Sequence, residues 1–152
     1  MRNPRLRIKK PSGIELRLTS KAVGQQEGHA ISRLQTTLVN ETNHPIEKYH
    51  LELRLPSSIL KHWNSTYPNE VPCNEPGIRC FRFDHLGFGT VRPRDQRDLA
   101  SYDYCTRCAI DDKGGEHVAA ILVSESRVGA RVFVNGEECR VEKTIKQLAM
   151  ER

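Results

Sequence analysis

The residues in this chain best suited to chemistry are five cysteines: Cys73, Cys80, Cys105, Cys108 and Cys139. Cys105 and Cys108 form a CxxC pair, whose two thiolates on a tight turn can reach adjacent corners of a zinc tetrahedron. Cys73 and Cys80 are spaced more widely than a standard knuckle, so His62 or His85 would have to replace a ligand if the pair proved unsuitable. One reading is therefore a zinc-stabilised β domain held by Cys73, Cys80, Cys105 and Cys108. The plainer reading, which the flanking sequence favours, leaves all four as ordinary thiols and assigns no cofactor. Thioredoxin-like chemistry wants its CxxC at a helix start, where the helix dipole lowers the thiol pKa. Here the flanks read as strand.

A search for catalytic constellations finds none. The chain has no P-loop, no GxSxG elbow and no HExxH. Asp84 and His85 are adjacent, so on a continuous strand their side chains point to opposite faces and cannot orient one another. Gly87-Phe88-Gly89 reads as a turn, and Asp111-Asp112 lacks the ligand count for calcium. The expectation is a non-enzyme without catalytic residues.

Charge points to two binding surfaces. Residues 1–21 hold seven cations and the single anion Glu15, a local +6. Subtracting these from the 24 cations and 19 anions of the chain leaves 17 and 18, a net −1. The basic character thus belongs to an arm, residues 1–12. Its Arg2, Arg5, Arg7, Lys9 and Lys10 could neutralise phosphates and release counterions. No aromatic lies among them to stack a base, so nucleic-acid binding is the alternative and a solvated arm or linker the first reading. The second surface is a pair of loops, 61–79 and 87–98. The large amphipathic residues Trp63 and Tyr67 stand in the first, and Arg92, Arg94 and Arg97 in the second. Such residues on loops suit a protein partner.

These residues are positioned by strands. Ile14, Leu16 and Leu18 alternate with polar neighbours, and Lys21–His29 then reads as a turn. Ile31–Val39 is a second strand, closed by the turn formers Asn40 to Pro45. Tyr49, Leu51, Leu53 and Leu55 alternate without error, which places all four on one face of a strand ended by Pro56. Lys61–Gly77 shows no sustained period and reads as a long loop. Cys80–Asp84 and Leu99–Tyr104 are further strands, with Arg92–Asp98 a charged loop between them. Val118–Val123 reads as a strand covered on both sides. Arg131–Val134 and Cys139–Val141 flank Asn135-Gly136, the strongest hairpin signal present. Thr144 with Gln147 forms a capping box, and Val141, Ile145, Leu148 and Ala149 then fit a short amphipathic helix.

The chain's 152 residues are 37% hydrophobic and 6% aromatic, so one domain with an aliphatic core is expected. No apolar run of about 18 residues occurs, which excludes a spanning helix. The first residues lack the apolar stretch of a secretory signal, and the expectation is a cytoplasmic chain with reduced thiols. Seven or eight short strands with hardly any helix argue for an all-β sandwich over residues 13–143, followed by a short helix in 144–152.

The stretch from Leu38 to Pro56, LVNETNHPIEKYHLELRLP, resembles the paired strands of immunoglobulin-like or fibronectin-III-like modules. The Val132–Glu137 hairpin is similar to their final strands. The resemblance covers about two-thirds of the chain and implies an immunoglobulin-like antiparallel β-sandwich, serving as an accessory domain that binds a protein partner. The Cys–Trp–Cys core pattern of antibody domains is absent, since Trp63 precedes every cysteine.

Overall fold

The computed structural model describes residues 13–26, 29–57, 69–104 and 125–151. The basic arm, Trp63, Tyr67, Cys105, Cys108, Asp111-Asp112 and the apolar run Val118–Val123 lie outside the described residues.

Among the described residues, eight strands build two antiparallel sheets. In chain order they are β1 (Ile14–Gln26), β2 (His29–Asn40), β3 (Tyr49–Pro56), β4 (Glu70–Val71), β5 (Ile78–Asp84), β6 (Asp95–Tyr104), β7 (Arg127–Val134) and β8 (Glu137–Thr144). One sheet has the order β1-β2-β6 and the other β4-β5-β3-β7-β8. The fold is an all-β sandwich, and a short helix, Ile145–Met150, follows β8.

Alternation explains the packing. Leu51, Leu53 and Leu55 on β3 are fully buried, as are Leu18, Leu38, Phe81, Val128 and Val132 on neighbouring strands. The two sheets meet across them: β1 lies against β7 and β8, and the Tyr102 ring of β6 lies 4.9 Å from that of Phe81 on β5. The core is dominated by Leu and Val, as the thin aromatic content requires. Tyr104 is its largest buried side chain, and its hydroxyl donates to Ser20 Oγ at 3.1 Å.

The local signals are realised at three places. Asn135 (φ 51°) and Gly136 (φ 77°) both adopt the left-handed conformation that a type I′ hairpin demands. The hairpin arms are longer than the apolar residues alone indicate, running from Arg127 to Thr144. Thr144 caps the helix through its side chain, and Gln147 returns the bond to the Thr144 N–H at 2.8 Å. Of the expected apolar face, Ile145 and Leu148 are buried, but Ala149 is exposed and Val141 belongs to β8. A six-residue helix makes too few turns to bury a full stripe.

Two expected loops are strands. Lys21–Gln26, expected as a turn, continues β1 and pairs with β2, with a register shift between Ala22 and Gly24. Its side chains from Lys21 to Gly24 are exposed. The ladder of backbone bonds holds this edge where no apolar alternation does. Asp95–Asp98 likewise begins β6, pairing with Asn40, Val39, Leu38 and Thr37. Arg97 is therefore a strand residue, not a loop residue.

A bulge divides β6. Gln35 pairs with Ser101 and Thr37 with Asp98, so Leu99 and Ala100 together oppose Thr36. That extra residue is why two consecutive positions are both buried. The Thr36 hydroxyl, fully buried, donates to the Ala100 carbonyl at 2.8 Å.

Candidate functional site

Asn40 organises the end of the molecule that carries Arg92, Arg94 and Arg97. Its side chain is fully buried. Its Nδ2 lies 2.8 Å from the His44 carbonyl and 3.2 Å from those of Val91 and Arg92. Its Oδ1 accepts from the Thr42 N–H at 3.0 Å. One amide thereby supports both the turn after β2 and the segment before β6, the side-chain mimicry of a backbone turn expected of this Asn-rich stretch. Ile46 and Val91 complete the clamp with reciprocal backbone bonds of 2.9 and 3.0 Å.

On this platform stand Arg92, Arg94 and Arg97, all exposed. Arg94 adopts φ 60°, a conformation uncommon for a side-chain-bearing residue. Its Nη2 and Nε donate to Asn43 Oδ1 at 3.0 and 3.3 Å. Asp95 and Asp98 do not neutralise the arginines. Asp95 accepts from the Gln96 N–H at 2.8 Å, and Asp98 accepts from the Thr37 hydroxyl at 2.8 Å. Among the described residues, none of these three guanidiniums makes an ion pair. Arg97 sits opposite fully buried Leu38, hence on the inward register of an edge strand, yet it is exposed. Its charge favours the phenolate of nearby Tyr49, but burial outweighs this and pushes the Tyr49 hydroxyl up. An inward charge and a bulge both blunt an edge against strand addition.

The outward face of the larger sheet is organised differently. In register, Arg82, Glu52, Arg131 and Arg140 form one row across β5, β3, β7 and β8. Asp84, His50, Phe133 and Glu138 form the next. Arg131 Nε meets Glu52 at 2.7 Å, Arg140 meets Glu138 at 2.8 Å, and Arg127 meets Glu142 at 2.7 Å. Arg54 pairs with Glu75. Glu138 is buried, held between Arg131 and Arg140. The His50 and Phe133 rings stack at 4.5 Å. Burial, aided by Arg82, pulls the His50 pKa down.

Cys80 lies on this same face, opposite Arg54 and Val71. Cys73 reaches it across the short β4–β5 connection, and both thiols are free and half-buried. They line one cavity of about 510 Å³ together with Glu52, Arg54 and Glu75. The Cys80 thiol is pushed up to about 11, by burial first and then by its hydrogen bond with Cys73. The zinc reading thus finds half of its ligand set together, while Cys105 and Cys108 lie outside the described residues. His85 lies beyond the end of β5, in the turn after Asp84, and is not among the residues that line the cavity shared by Cys73 and Cys80. No group of three metal-ligating side chains converges among the described residues.

Asp84 and His85 correct another expectation. The chain leaves β5 at Asp84, which caps a single 3-10 turn over His85–Gly87 and accepts from the Leu86 N–H at 3.1 Å. The two side chains consequently meet, His85 Nδ1 lying 2.8 Å from Asp84 Oδ1. The ring nitrogen also approaches the Tyr49 carbonyl at 3.2 Å, and the Tyr49 hydroxyl donates to the Gly89 carbonyl at 2.7 Å. These contacts fasten the turn to β3.

No protein-family model matches the chain, and no curated protein matches it. Solved structures offer distant likenesses. The solution structure of R. palustris CsgH has a TM-score of 0.42 at 12% identity, covering 91% of this chain and 99% of that one. The alkylpurine DNA glycosylase AlkC of Pseudomonas fluorescens, bound to DNA containing an abasic site analogue, has a TM-score of 0.35 at 13% identity. The match covers 87% of this chain and 30% of the glycosylase. A GH20 exo-β-N-acetylglucosaminidase of Vibrio harveyi has a TM-score of 0.34 at 11% identity, covering 86% of this chain and 17% of the enzyme.

Proposed function

We propose that this chain is a non-catalytic interaction module that binds an acidic surface of a protein partner through Arg92, Arg94 and Arg97. One observation supports this above all: three exposed guanidiniums are presented by a buried Asn40 clamp, and none has an ion-pair partner among the described residues. A desolvated carboxylate from a partner would convert these solvated cations into charge-assisted, bidentate contacts. The fold is compatible with the immunoglobulin-like accessory role that the sequence resemblance implies.

Charge reversal tests this reading. The full chain and an Arg92→Glu, Arg94→Glu, Arg97→Glu variant are immobilised and exposed to nuclease-treated extract of the source cells. The proposal expects a discrete protein to be retained by the first and lost by the second. It expects Arg82→Glu, on the other sheet, to retain it. Equal retention by all three would overturn the reading. Retention seen only from extract left untreated with nuclease, and lost on replacing Arg5, Arg7, Lys9 and Lys10 by alanine, would favour the nucleic-acid alternative instead.

A further inference from the structure

The β4–β5 connection is built to bring two thiols together without a covalent bond. Glu75-Pro76-Gly77-Ile78 is a type II turn. Pro76 occupies its second position, Gly77 supplies the required positive φ of 76°, and the Ile78 N–H donates to the Glu75 carbonyl at 3.3 Å. The turn is tied to the end of β3, where the Ser57 N–H and hydroxyl donate to the Gly77 carbonyl at 2.9 and 3.1 Å. The Arg54–Glu75 ion pair adds a third tether. On the far side, Glu70 and Arg79 form a bidentate pair that joins β4 to β5. Val71 faces Cys80 directly, and the chain turns after Val71 so that Cys73 meets the Cys80 thiol.

We propose that Cys73 and Cys80 are a reversible dithiol–disulfide site, oxidised by a small-molecule disulfide of the glutathione type. Both thiols open on one cavity in which such a molecule can reach them. In the first step the Cys73 sulfur attacks one sulfur of glutathione disulfide. A glutathione leaves as thiolate and takes up the proton that Cys73 gives up. In the second step the Cys80 sulfur attacks the Cys73 sulfur of the mixed disulfide, and the second glutathione leaves with the Cys80 proton. One S–S bond breaks and another forms: two protein thiols are oxidised, and glutathione disulfide is reduced to two thiols. The raised Cys80 pKa suits a resolving thiol, which needs proximity more than acidity. Reversible bridges of this kind act as redox sensors in reducing compartments.

The test equilibrates the full chain, in chelator-containing buffer, across a series of glutathione to glutathione disulfide ratios, then blocks free thiols and measures intact mass. Trypsin cuts after Arg79, so the bridge joins two otherwise separate peptides. The site predicts one intramolecular Cys73–Cys80 product, the loss of two hydrogens, and full reversal by dithiothreitol. Cys73→Ser must abolish the bridge and leave Cys80 free or glutathionylated. Closing this short loop should raise Tm, on the order of 5 °C. A Cys105→Ser, Cys108→Ser variant that still closes the bridge keeps the result independent of those residues. Stable glutathionylation of both cysteines without closure would overturn the proposal. So would preferential bridging to Cys105 or Cys108, or two thiols that stay alkylatable at every ratio.

Discussion

Two surfaces of this protein carry arginines, and they treat them in opposite ways. On the outward face of the larger sheet, four of the five arginines (Arg54, Arg127, Arg131 and Arg140, but not Arg82) are matched by Glu75, Glu142, Glu52 and Glu138. At the edge of the smaller sheet, Arg92, Arg94 and Arg97 make no ion pair among the described residues, and Arg94 donates to the Asn43 amide. The first arrangement settles its charge within the fold. The second holds a backbone rigidly and leaves the charge for something else. Local geometry, not composition, separates the two, because aspartates are adjacent in the second region and are spent on a strand and a turn.

The comparison can be broken at its support first. Asn40→Ala removes a fully buried amide that serves three carbonyls and the Thr42 N–H, leaving polar groups unpaired away from water. A loss of about 3 kcal/mol in urea unfolding is expected, with the largest increases in amide exchange at Thr42 and Val91. A cost under about 1 kcal/mol would mean that the clamp is not what orders this region.

On the other face, Glu138→Ala should cost about 2 kcal/mol in the same measurement. It strips a buried carboxylate from two guanidiniums that remain partly open to water. Reversing Arg92, Arg94 and Arg97 together should change stability by less than about 0.5 kcal/mol, since exposed charges without partners contribute little. If the arginine triple proved the more damaging of the two, the assignment of settled and unsettled charge would be inverted.

A smaller effect concerns β4. The bidentate Arg79 holds the Glu70 carboxylate below its usual range. The folded state therefore binds that proton less readily than the unfolded chain, and the pair's stabilisation is complete above the ordinary carboxylate pKa of about 4.3. It fades as pH falls through the depressed folded value. Amide exchange at Val71 and Cys80 should rise between pH 5 and the acid limit, and Glu70→Gln should remove that dependence. An unchanged pH profile in the variant would place the effect elsewhere.

Much of the fold was legible where one face is buried and the other is not. Tyr49–Leu55 alternates because β3 is the central strand of its sheet, and Asn135-Gly136 has a backbone demand that few other dipeptides meet. The edges were harder to read. Lys21–Gln26 and Asp95–Asp98 are polar strands held by backbone pairing to β2, so their side chains carry no periodic signal. In the stretch Glu137–Arg140, burial of both Glu138 and Cys139 departs from simple alternation, and only neighbouring Arg131 and Arg140 make the buried carboxylate tolerable. Arg92, Arg94 and Arg97 stand out in the sequence as charge within a turn composition, whereas Asn40, whose amide supports their backbone, reads only as a turn former. Cys73 and Cys80 stand out in the sequence as a thiol pair, but β4 and the connection that joins them lie in a stretch without a period. Its Pro76-Gly77 dipeptide, with a cysteine on each side, was the available signal.

The central claim is that Arg92, Arg94 and Arg97 are open in the free chain and covered in the complex. Phenylglyoxal labelling, read by mass spectrometry, measures this directly when the free chain is compared with the chain bound to its captured partner. Fast modification of Arg92, Arg94 and Arg97 in the free protein is predicted, slow modification of Arg131, and strong protection of the first three in the complex with Arg82 unchanged. Labelling of Arg92, Arg94 and Arg97 that is equal in the free and bound states would contradict the account.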